Sequence, residues 1–241
     1  MRHLGIMAHS VEGAALCLRT FARLGSARLG AHHHPDVTLD CIAMGPSMPA
    51  WDAGDYAPIR KTMAESARRL QRAGADFFVC PDNTAHIALQ QPGEALPLPG
   101  LHIADVVSQQ ALHDSRRRVA ILGTKYTMGS GMYPDAFAAL GIESKVPDAA
   151  ERKVIDDVIF GQLVEGIFTD ESRDAYVRVI ERLGREGCDA VALVCTEIPL
   201  LVTEDVSPLP TLDSTRLLAA AAFEVAVGNH SLPTWRGGPG A

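Results

Sequence analysis

Two reactive side chains, Asp82 and Cys195, each follow a short apolar run. Phe77 to Pro81 precedes Asp82, and Ala190 to Val194 precedes Cys195. Short, continuous apolar runs of this kind are typical of strands in a buried parallel sheet. Ligands of open α/β sheets bind beyond the carboxyl ends of the strands, so both side chains are expected to face a ligand. A carboxylate and a thiol on opposite sides of one carbon atom suit proton removal on one face and proton delivery on the other.

A weak internal repeat places these two side chains at equivalent positions. Gly74-x-Asp76 precedes the first run and Gly187-x-Asp189 precedes the second, so a helix stop feeds a buried strand in both copies. Upstream, the stretch 6–10 resembles 121–124. Two half-domains of similar plan explain the repeat, and they place four polar loops at strand ends: His9–Ser10, Asp82–Thr84, 124–131 and Cys195–Glu197.

Apolar strand patterns alternate with helical periodicity along the whole chain, which predicts an α/β fold with parallel sheets buried on both faces. The first helix is expected to end near Gly25 and the second at Gly74. The predicted strands are 4–8, 37–43, 77–80, 119–122 and 190–194. The predicted helices are 11–25, 57–73, one starting near 84, 103–114, 131–140, 151–165, 171–186 and 213–227. The periodicity predicts two buried helix faces: Ile59, Met63, Ala67 and Leu70 in the helix at 57–73, and Tyr176, Val179, Ile180 and Leu183 in the helix at 171–186.

Composition excludes several classes of protein. The 241 residues carry 22 basic and 29 acidic side chains with no basic block, so no nucleic-acid partner is expected. No apolar run reaches the roughly 18 residues of a membrane helix, and the N-terminus does not resemble an export signal, so we expect a cytoplasmic protein. The five cysteines are expected to be free thiols. The loop histidines 32–34 have no further ligands at useful spacing, so no metal is expected.

Simpler interpretations exist for each candidate residue. Asp82 or Asn83 could cap the following helix, and Cys195 could be an inert buried thiol. A helix N-terminus next to Cys195 would instead favour its thiolate. The segment 123–131 lacks the spacing of a nucleotide-binding loop, but its hydroxyls and backbone N–H groups could hold a carboxylate.

At the level of motifs, residues 4 to about 227 resemble the aspartate/glutamate/hydantoin racemase superfamily. Val194–Leu201, which reads VCTEIPLL, is similar to the second cysteine motif of that family, and Asn83–His86 is similar to the tail of the first. Gly123-Thr124 with Thr127 resembles the loop that holds the substrate carboxylate, and Leu212–Thr215 resembles the motif that opens the last helix. The resemblance implies two pseudo-symmetric Rossmann-like (flavodoxin-like) lobes with an active-site cleft between them, no cofactor and a homodimer.

One departure from the family concerns the first catalytic cysteine. The family motif Pro-Cys-Asn-Thr reads Pro81-Asp82-Asn83-Thr84 here, so Asp82 stands in the place of that cysteine. Cys80 lies two positions earlier, inside the predicted strand, and is not given the role. An unperturbed carboxylate has a pKa of about 3.9 against about 8.5 for a thiol. Asp82 is therefore a useful base only if burial or a nearby Cys195 thiolate raises its pKa.

The resemblance also implies roles for residues around this pair. Cys195 and Asp82 are the expected catalytic residues, and Glu197 and His86 are expected to tune them. The expected substrate-binding residues are Ser10, Asn83, Thr84, Thr124, Thr127 and Thr196. The expected lobes are 1–114 with 208–230, and 115–207, followed by a mobile tail over 231–241.

Three functions remain open at this stage. The first is a racemase or epimerase of an amino acid such as aspartate or glutamate. The second is a decarboxylase or isomerase of a small carboxylic acid that uses Cys195 as its sole thiol. The third is a carboxylate-binding protein without activity. Exchange of the α-hydrogen, release of CO₂ and ligand-induced melting shifts without turnover distinguish the three.

Overall fold

The computed structural model describes residues 1–239, which form two compact units. The first unit contains Met1–Ile103 and residues 215–239, and the second contains Ala104–Ser214. Each unit is built on a four-stranded parallel sheet with flanking helices. The predicted α/β class with two parallel sheets is therefore confirmed.

The sheet of the first unit has the strand order β2-β1-β3-β4. Its strands are β1 (Leu4–Ala8), β2 (Val37–Cys41), β3 (Phe77–Val79) and β4 (Gly100–Leu101). Its helices are α1 (Val11–Leu29), α2 (Met48–Ala53), α3 (Tyr56–Arg72) and α4 (Ala85–Leu89), and a 3-10 turn covers Gly45–Ser47. The face of α3 predicted to be apolar is buried, with Ile59, Met63, Ala67 and Leu70 inside.

The sheet of the second unit repeats this order as β6-β5-β7-β8. Its strands are β5 (Arg118–Gly123), β6 (Glu143–Lys145), β7 (Ala190–Val194) and β8 (Thr211–Asp213). Its helices are α5 (Ile103–His113), α6 (Lys125–Gly129), α7 (Met132–Ala138), α8 (Ala149–Gly161), α9 (Asp170–Arg185) and α10 (Ile198–Leu201), with a 3-10 turn at Leu163–Glu165. The first residue of α5, Ile103, belongs to the first unit. The last helix, α11 (Ser214–Val227), follows β8, and all of it but its first residue belongs to the first unit.

The two copies of the Gly-x-Asp repeat have the same structure: the glycine follows a helix, and the aspartate binds the backbone just before a strand. Gly74 and Gly187 follow α3 and α9 with φ of 92° and 94°, a left-handed conformation that glycine adopts without strain. Asp76 accepts a hydrogen bond from the N–H of His3 at 2.7 Å, just before β1. Asp189 accepts one from the N–H of Arg117 at 2.8 Å, just before β5. Each aspartate thus fixes the start of the central strand of its own sheet.

The sequence pattern predicts that the first helix ends near Gly25, and this prediction is wrong. Helix α1 continues to Leu29 and is followed by Gly30 at φ 105°. The reason is packing, because a Cβ atom on Gly25 would lie 2.4 Å from the Cβ of His34. The loop histidines therefore pack on the helix. Among residues 1–239, no group of three or more His, Cys, Asp or Glu side chains is arranged to hold a metal ion.

The unit boundaries lie at 103/104 and 214/215, whereas the sequence suggests 114/115 and 207/208. The second difference has a clear origin in β8, which pairs with β7 through Val191↔Thr211 and so belongs to the second sheet. Within the described chain, no helix is both long and apolar enough to cross a membrane.

The described part of the expected mobile tail makes specific contacts with the first unit. We call residues 231–239 the C-terminal segment. The N–H of Leu96 donates to the Arg236 oxygen at 2.8 Å, and that of Gly100 donates to the Trp235 oxygen at 2.8 Å. These hydrogen bonds attach the segment through the backbone oxygens of Trp235 and Arg236. Gly240 and Ala241, which complete the expected tail, lie outside the described residues.

Candidate active site

In the second unit, the carboxyl ends of β5 and β7 lie side by side. The two strands are in register from Val119↔Ala190 to Gly123↔Val194, so Thr124 and Cys195 are the next residues on adjacent strands. A Cβ atom on Gly123 would lie 2.8 Å from a methyl group of Val194, so glycine is required for this close approach. We call the residues grouped at this edge the thiol cluster: Thr124, Thr127, Tyr176, Cys195, Thr196 and Glu197.

The central contact of the thiol cluster joins Cys195 to Glu197. The thiol donates a hydrogen bond to Oε2 of Glu197 at 3.0 Å. Both residues are buried, with 8% and 5% of their surfaces exposed. A buried carboxylate needs compensating hydrogen bonds, and the thiol supplies one of them. Glu197, for which a tuning role is predicted, therefore lies in direct hydrogen-bond contact with the Cys195 thiol.

Tyr176 of α9 completes the surroundings of this contact. Its hydroxyl donates to the Ile155 oxygen at 2.9 Å, and the side chain is fully buried. Burial, followed by the nearby Cys195, Asp156 and Glu197, raises the pKa of Tyr176 far above its usual value. The phenol therefore stays neutral. The helical periodicity of α9 identified Tyr176 only as an inward-facing core residue.

The two threonines predicted to hold a carboxylate form part of a helix start. Thr124 is the N-cap of α6, and its hydroxyl accepts from the Thr127 N–H at 3.2 Å. The Thr127 hydroxyl lies 3.2 Å from that of Thr124 and is fully buried. Lys125 donates its N–H to Oδ1 of Asp156 at 2.7 Å. The start of α6 is thus organised by two hydroxyls and a carboxylate.

In the first unit, Asp82 begins the loop that links β3 to α4. We call residues 82–86 the carboxylate loop. Oδ1 of Asp82 accepts from the N–H of Ala85, the first residue of α4, at 3.3 Å, while Thr84 is the N-cap residue of that helix. The side chain of Asp82 is partly exposed, whereas Asn83 is buried and Thr84 partly exposed.

β1 and β3 are parallel neighbours in register through Ile6↔Val79. The segments that follow them, with His9 after β1 and Asp82 after β3, therefore start at the same edge of the sheet. Ser10 follows as the N-cap residue of α1 and is half-buried. Nδ1 of the buried His9 lies 3.1 Å from the Ile42 oxygen, and its Nε2 has no hydrogen-bond partner among the described residues. The sequence marked this loop, but of its two residues only Ser10 was expected to bind substrate.

His86, the last residue of the carboxylate loop, fixes the backbone of this loop through hydrogen bonds. Its Nε2 accepts from the Ile103 N–H at 3.3 Å, so Nδ1 carries the ring proton and donates to the Asp82 carbonyl oxygen at 3.0 Å. Burial, reinforced by the neighbouring His102, lowers the pKa of His86 to about 3. The imidazole is therefore neutral at physiological pH. The residue expected to tune Asp82 touches its backbone.

The remaining thiols differ from Cys195 in their surroundings. Burial raises the pKa of Cys17 to about 12, and burial together with Asp82 raises that of Cys80 further. Cys80 lies directly after β3 and its sulfur is 3.8 Å from the Asp82 oxygen, a backbone atom. These groups stay protonated at neutral pH, which agrees with giving Cys80 no catalytic role. The candidate residues thus fall into two groups, one within each unit.

Comparison with known protein families gives one match that spans most of the chain. The family described as Asp/Glu/Hydantoin racemase matches residues 6–222. Among curated proteins, the broad specificity amino-acid racemase RacX of Bacillus subtilis is 24% identical over 177 residues, which are 73% of this chain and 76% of that protein. The glutamate racemase of Aquifex aeolicus is 28% identical over 144 residues, covering 58% of this chain and 53% of the relative.

Solved structures of similar fold cover nearly the whole chain. A structure described as a putative Asp/Glu racemase from Yersinia pestis has a TM-score of 0.83 and 31% identity, covering 94% of this chain and all of that one. An aspartate racemase homologue from Pyrococcus horikoshii has a TM-score of 0.78 and 23% identity over the same shares of both chains. The second likeness concerns the fold alone.

Proposed function

Because the chain belongs to the Asp/Glu/hydantoin racemase family, we propose that it is an amino-acid racemase whose two proton-transferring groups are Cys195 and Asp82. The observation that carries this proposal is the 3.0 Å hydrogen bond from the Cys195 thiol to the buried Glu197 carboxylate. A thiol in hydrogen-bond contact with a carboxylate has a general base within reach of its proton. The relatives named as amino-acid racemases support the same reaction class.

The proposed reaction begins when Glu197 takes the Cys195 proton. The resulting thiolate removes the α-proton of one enantiomer, which leaves a planar carbanion delocalised into the substrate carboxylate. In the molecules in which Asp82 carries a proton, it then delivers that proton to the opposite face and becomes a carboxylate. The other enantiomer reacts in reverse, with Asp82 as the base and the Cys195 thiol as the acid. Proton exchange with water resets both groups after each turnover.

The substrate we propose is an amino acid such as aspartate or glutamate. Its carboxylate must be held by hydrogen-bond donors, because the carbanion places additional negative charge on that group. The hydroxyl and amide side chains expected to serve here are Ser10, Asn83, Thr84, Thr124, Thr127 and Thr196. Of these, Thr127 is fully buried and acts through the N-terminus of α6.

The decisive experiment is incubation of each enantiomer in D₂O. Purified protein is mixed separately with L- and D-aspartate, L- and D-glutamate and a panel of neutral and basic amino acids. Proton NMR measures loss of the α-hydrogen, and chiral chromatography measures inversion. We expect both enantiomers of at least one amino acid to exchange and to invert. Release of CO₂ from a substituted malonate, or melting shifts without turnover, would contradict the proposal and favour a decarboxylase or a binding protein.

Asp82→Cys tests whether the carboxylate is suited to the natural reaction. The substitution restores the cysteine pair of the family motif. If Asp82 already serves as the second base, racemisation of the natural substrate is expected to stay equal or fall. A large gain in amino-acid racemisation would instead mean that the natural reaction differs from the one proposed.

We further propose that the reaction needs no cofactor and that the chain forms a homodimer. Activity should persist after exhaustive dialysis against EDTA and passage through a desalting column. Light scattering coupled to size-exclusion chromatography should give about twice the 25.8 kDa of one chain.

A further inference from the structure

An aromatic side chain from the far end of the chain lies against the carboxylate loop. The Trp235 ring is stacked on His86, with ring centroids 5.8 Å apart and planes inclined by 11°. His102 meets both rings edge-on at 4.9 Å. Phe78 of β3 lies 5.9 Å from Trp235 on another side. The indole thus joins the loop that carries Asp82 to the core of the first unit.

The C-terminal segment is bound through its backbone, so the indole has a fixed position. Besides the hydrogen bonds accepted by the Trp235 and Arg236 oxygens, the Gly238 N–H donates to the oxygen of Leu89, at the end of α4, at 2.8 Å. The indole Nε1 donates to the Gly238 oxygen at 3.2 Å. Gly237 has φ of 74°, and a Cβ atom there would lie 2.9 Å from the Arg60 guanidinium. This tight turn therefore requires glycine and brings the segment back onto α4.

The indole packs on the face of the His86 ring, whose two nitrogens already form hydrogen bonds. The two nitrogens of His86 bind Ile103 and the Asp82 carbonyl, and the stacked indole blocks rotation of the imidazole out of this plane. Truncation of Trp235 would open a cavity beside His86, because closely packed surroundings relax only partly around a lost side chain. The imidazole could then turn away and release the Asp82 backbone.

We propose that Trp235 is a positioning residue for the Asp82 carboxylate, acting through the His86 ring on which it stacks and the Asp82 carbonyl that this ring holds. The inference rests on the proposed function, in which Asp82 exchanges a proton with the substrate. Proton transfer is sensitive to small displacements, and a misplacement of about 1 Å can lower a rate by about 100-fold. Trp235 itself touches neither substrate nor reacting atoms in this scheme.

A ratio of two rates separates positioning from general destabilisation. Cys195 can remove the α-proton of its enantiomer in D₂O and return a deuteron to the same face, which gives exchange without inversion. Inversion additionally needs Asp82. In Trp235→Ala, inversion is expected to fall about tenfold or more while exchange of that enantiomer changes by less than about threefold, with KM nearly unchanged. The ratio of exchange to inversion therefore rises.

Two variants make this comparison specific. Trp235→Phe keeps an aromatic face against His86 and should restore a ratio within about threefold of wild type. Phe223→Ala removes a buried ring that packs on Phe21 at 5.9 Å, also in the first unit, and should lower the melting temperature without changing the ratio. Hydrogen exchange should show faster exchange of the His86 and Ile87 amides in Trp235→Ala than in Phe223→Ala at equal stability.

The outcomes distinguish this inference from the proposed function. If Asp82→Asn separates exchange from inversion but Trp235→Ala does not, Trp235 is only structural and the inference is wrong. If Asp82→Asn itself leaves inversion intact, Asp82 is not a base, and the proposed mechanism fails together with the positioning role. Unchanged protection of the His86 and Ile87 amides in Trp235→Ala would overturn the inference whatever the activity.

Discussion

The carboxylate loop and the thiol cluster occupy equivalent places in two similar sheets, yet they are supported in different ways. In the second unit, the support reaches the reactive atom itself, because the Glu197 carboxylate accepts directly from the Cys195 sulfur. In the first unit, the support reaches the main chain, because neutral His86 donates to the Asp82 carbonyl. A repeated scaffold thus fixes where a strand ends, while local contacts decide what the residue at that end can do.

The difference follows from the chemistry of the two groups. A thiol is a weak acid that needs an acceptor for its proton, and a carboxylate provides one. Another ionised carboxylate beside Asp82 would repel its charge, whereas a neutral imidazole on the backbone adds order without charge.

Replacing Cys195 removes the acid or base on its face altogether. In Cys195→Ala, inversion of both enantiomers should fall by about 10³-fold or more, because a positioned acid–base group contributes up to about 10⁴. The enantiomer deprotonated by Asp82 should still exchange its α-hydrogen slowly in D₂O. Cys188→Ala, which removes another buried thiol of the same unit, is the matched control and should remain active. Full activity of Cys195→Ala would refute the mechanism.

Replacing Asp82 tests the opposite face. Asp82→Asn should lower inversion by about 10²-fold to 10³-fold, equally in both directions because enantiomers have an equilibrium constant of one. The enantiomer deprotonated by Cys195 should continue to exchange without inverting. Asp76→Asn also loses a carboxylate that binds a backbone N–H, and should affect stability alone. If Asp82→Asn inverts substrate as fast as Asp76→Asn and the wild type do, Asp82 is a helix cap and not a base.

Replacing Glu197 tests the support rather than the reactive atom. Glu197→Gln keeps the size of the side chain but cannot take the thiol proton. Inversion should fall about 10-fold to 100-fold, and exchange of the enantiomer handled by Cys195 should fall with it. Exchange of the other enantiomer should be affected least. Equal losses on both faces would show that Glu197 stabilises the site generally instead of serving Cys195.

The neutral support of Asp82 predicts a pH-dependent stability. Because the pKa of His86 is lowered to about 3, the unfolded state, with a histidine pKa of about 6.5, binds a proton that the native state does not. The free energy of unfolding should therefore fall below pH 6.5 by up to about 1.4 kcal/mol per pH unit from this residue. Urea titrations at pH 6.5, 5.5 and 4.5 should show a shallower decline for His86→Asn. His113→Asn, at an exposed histidine, should retain the wild-type slope.

The sequence predicts the frame of the molecule well because long, periodic elements carry strong signals. The strands at 4–8 and 190–194 and the buried faces of α3 and α9 are found where their patterns place them. The strands β4, β6 and β8 are not predicted, since these segments of two or three residues contain glycine or polar side chains and show no continuous apolar run of the kind that marks β3. Their positions depend on neighbouring strands rather than on their own residues.

Some residues of the candidate site are likewise predicted from local sequence patterns, whereas others are not. Asp82 and Cys195 are identified because they follow strands within a repeat, and Glu197 because it lies two residues from Cys195. Contacts between residues far apart in the chain leave no local pattern. Tyr176 therefore reads as a core residue, and Trp235, in a stretch rich in glycine and proline, reads as part of a mobile tail.

The division of the chain between its units has a consequence for synthesis on the ribosome. Residues 104–214 form the second unit as one continuous stretch, whereas the first unit requires both 1–103 and 215–239. Helix α11 contributes the Phe223 ring to α1, and its Ala226 oxygen accepts from the Arg2 N–H at 2.8 Å. The half that is begun first is therefore completed last, after the entire other half has emerged. Until then, the apolar surface that α11 will cover has no partner from its own chain.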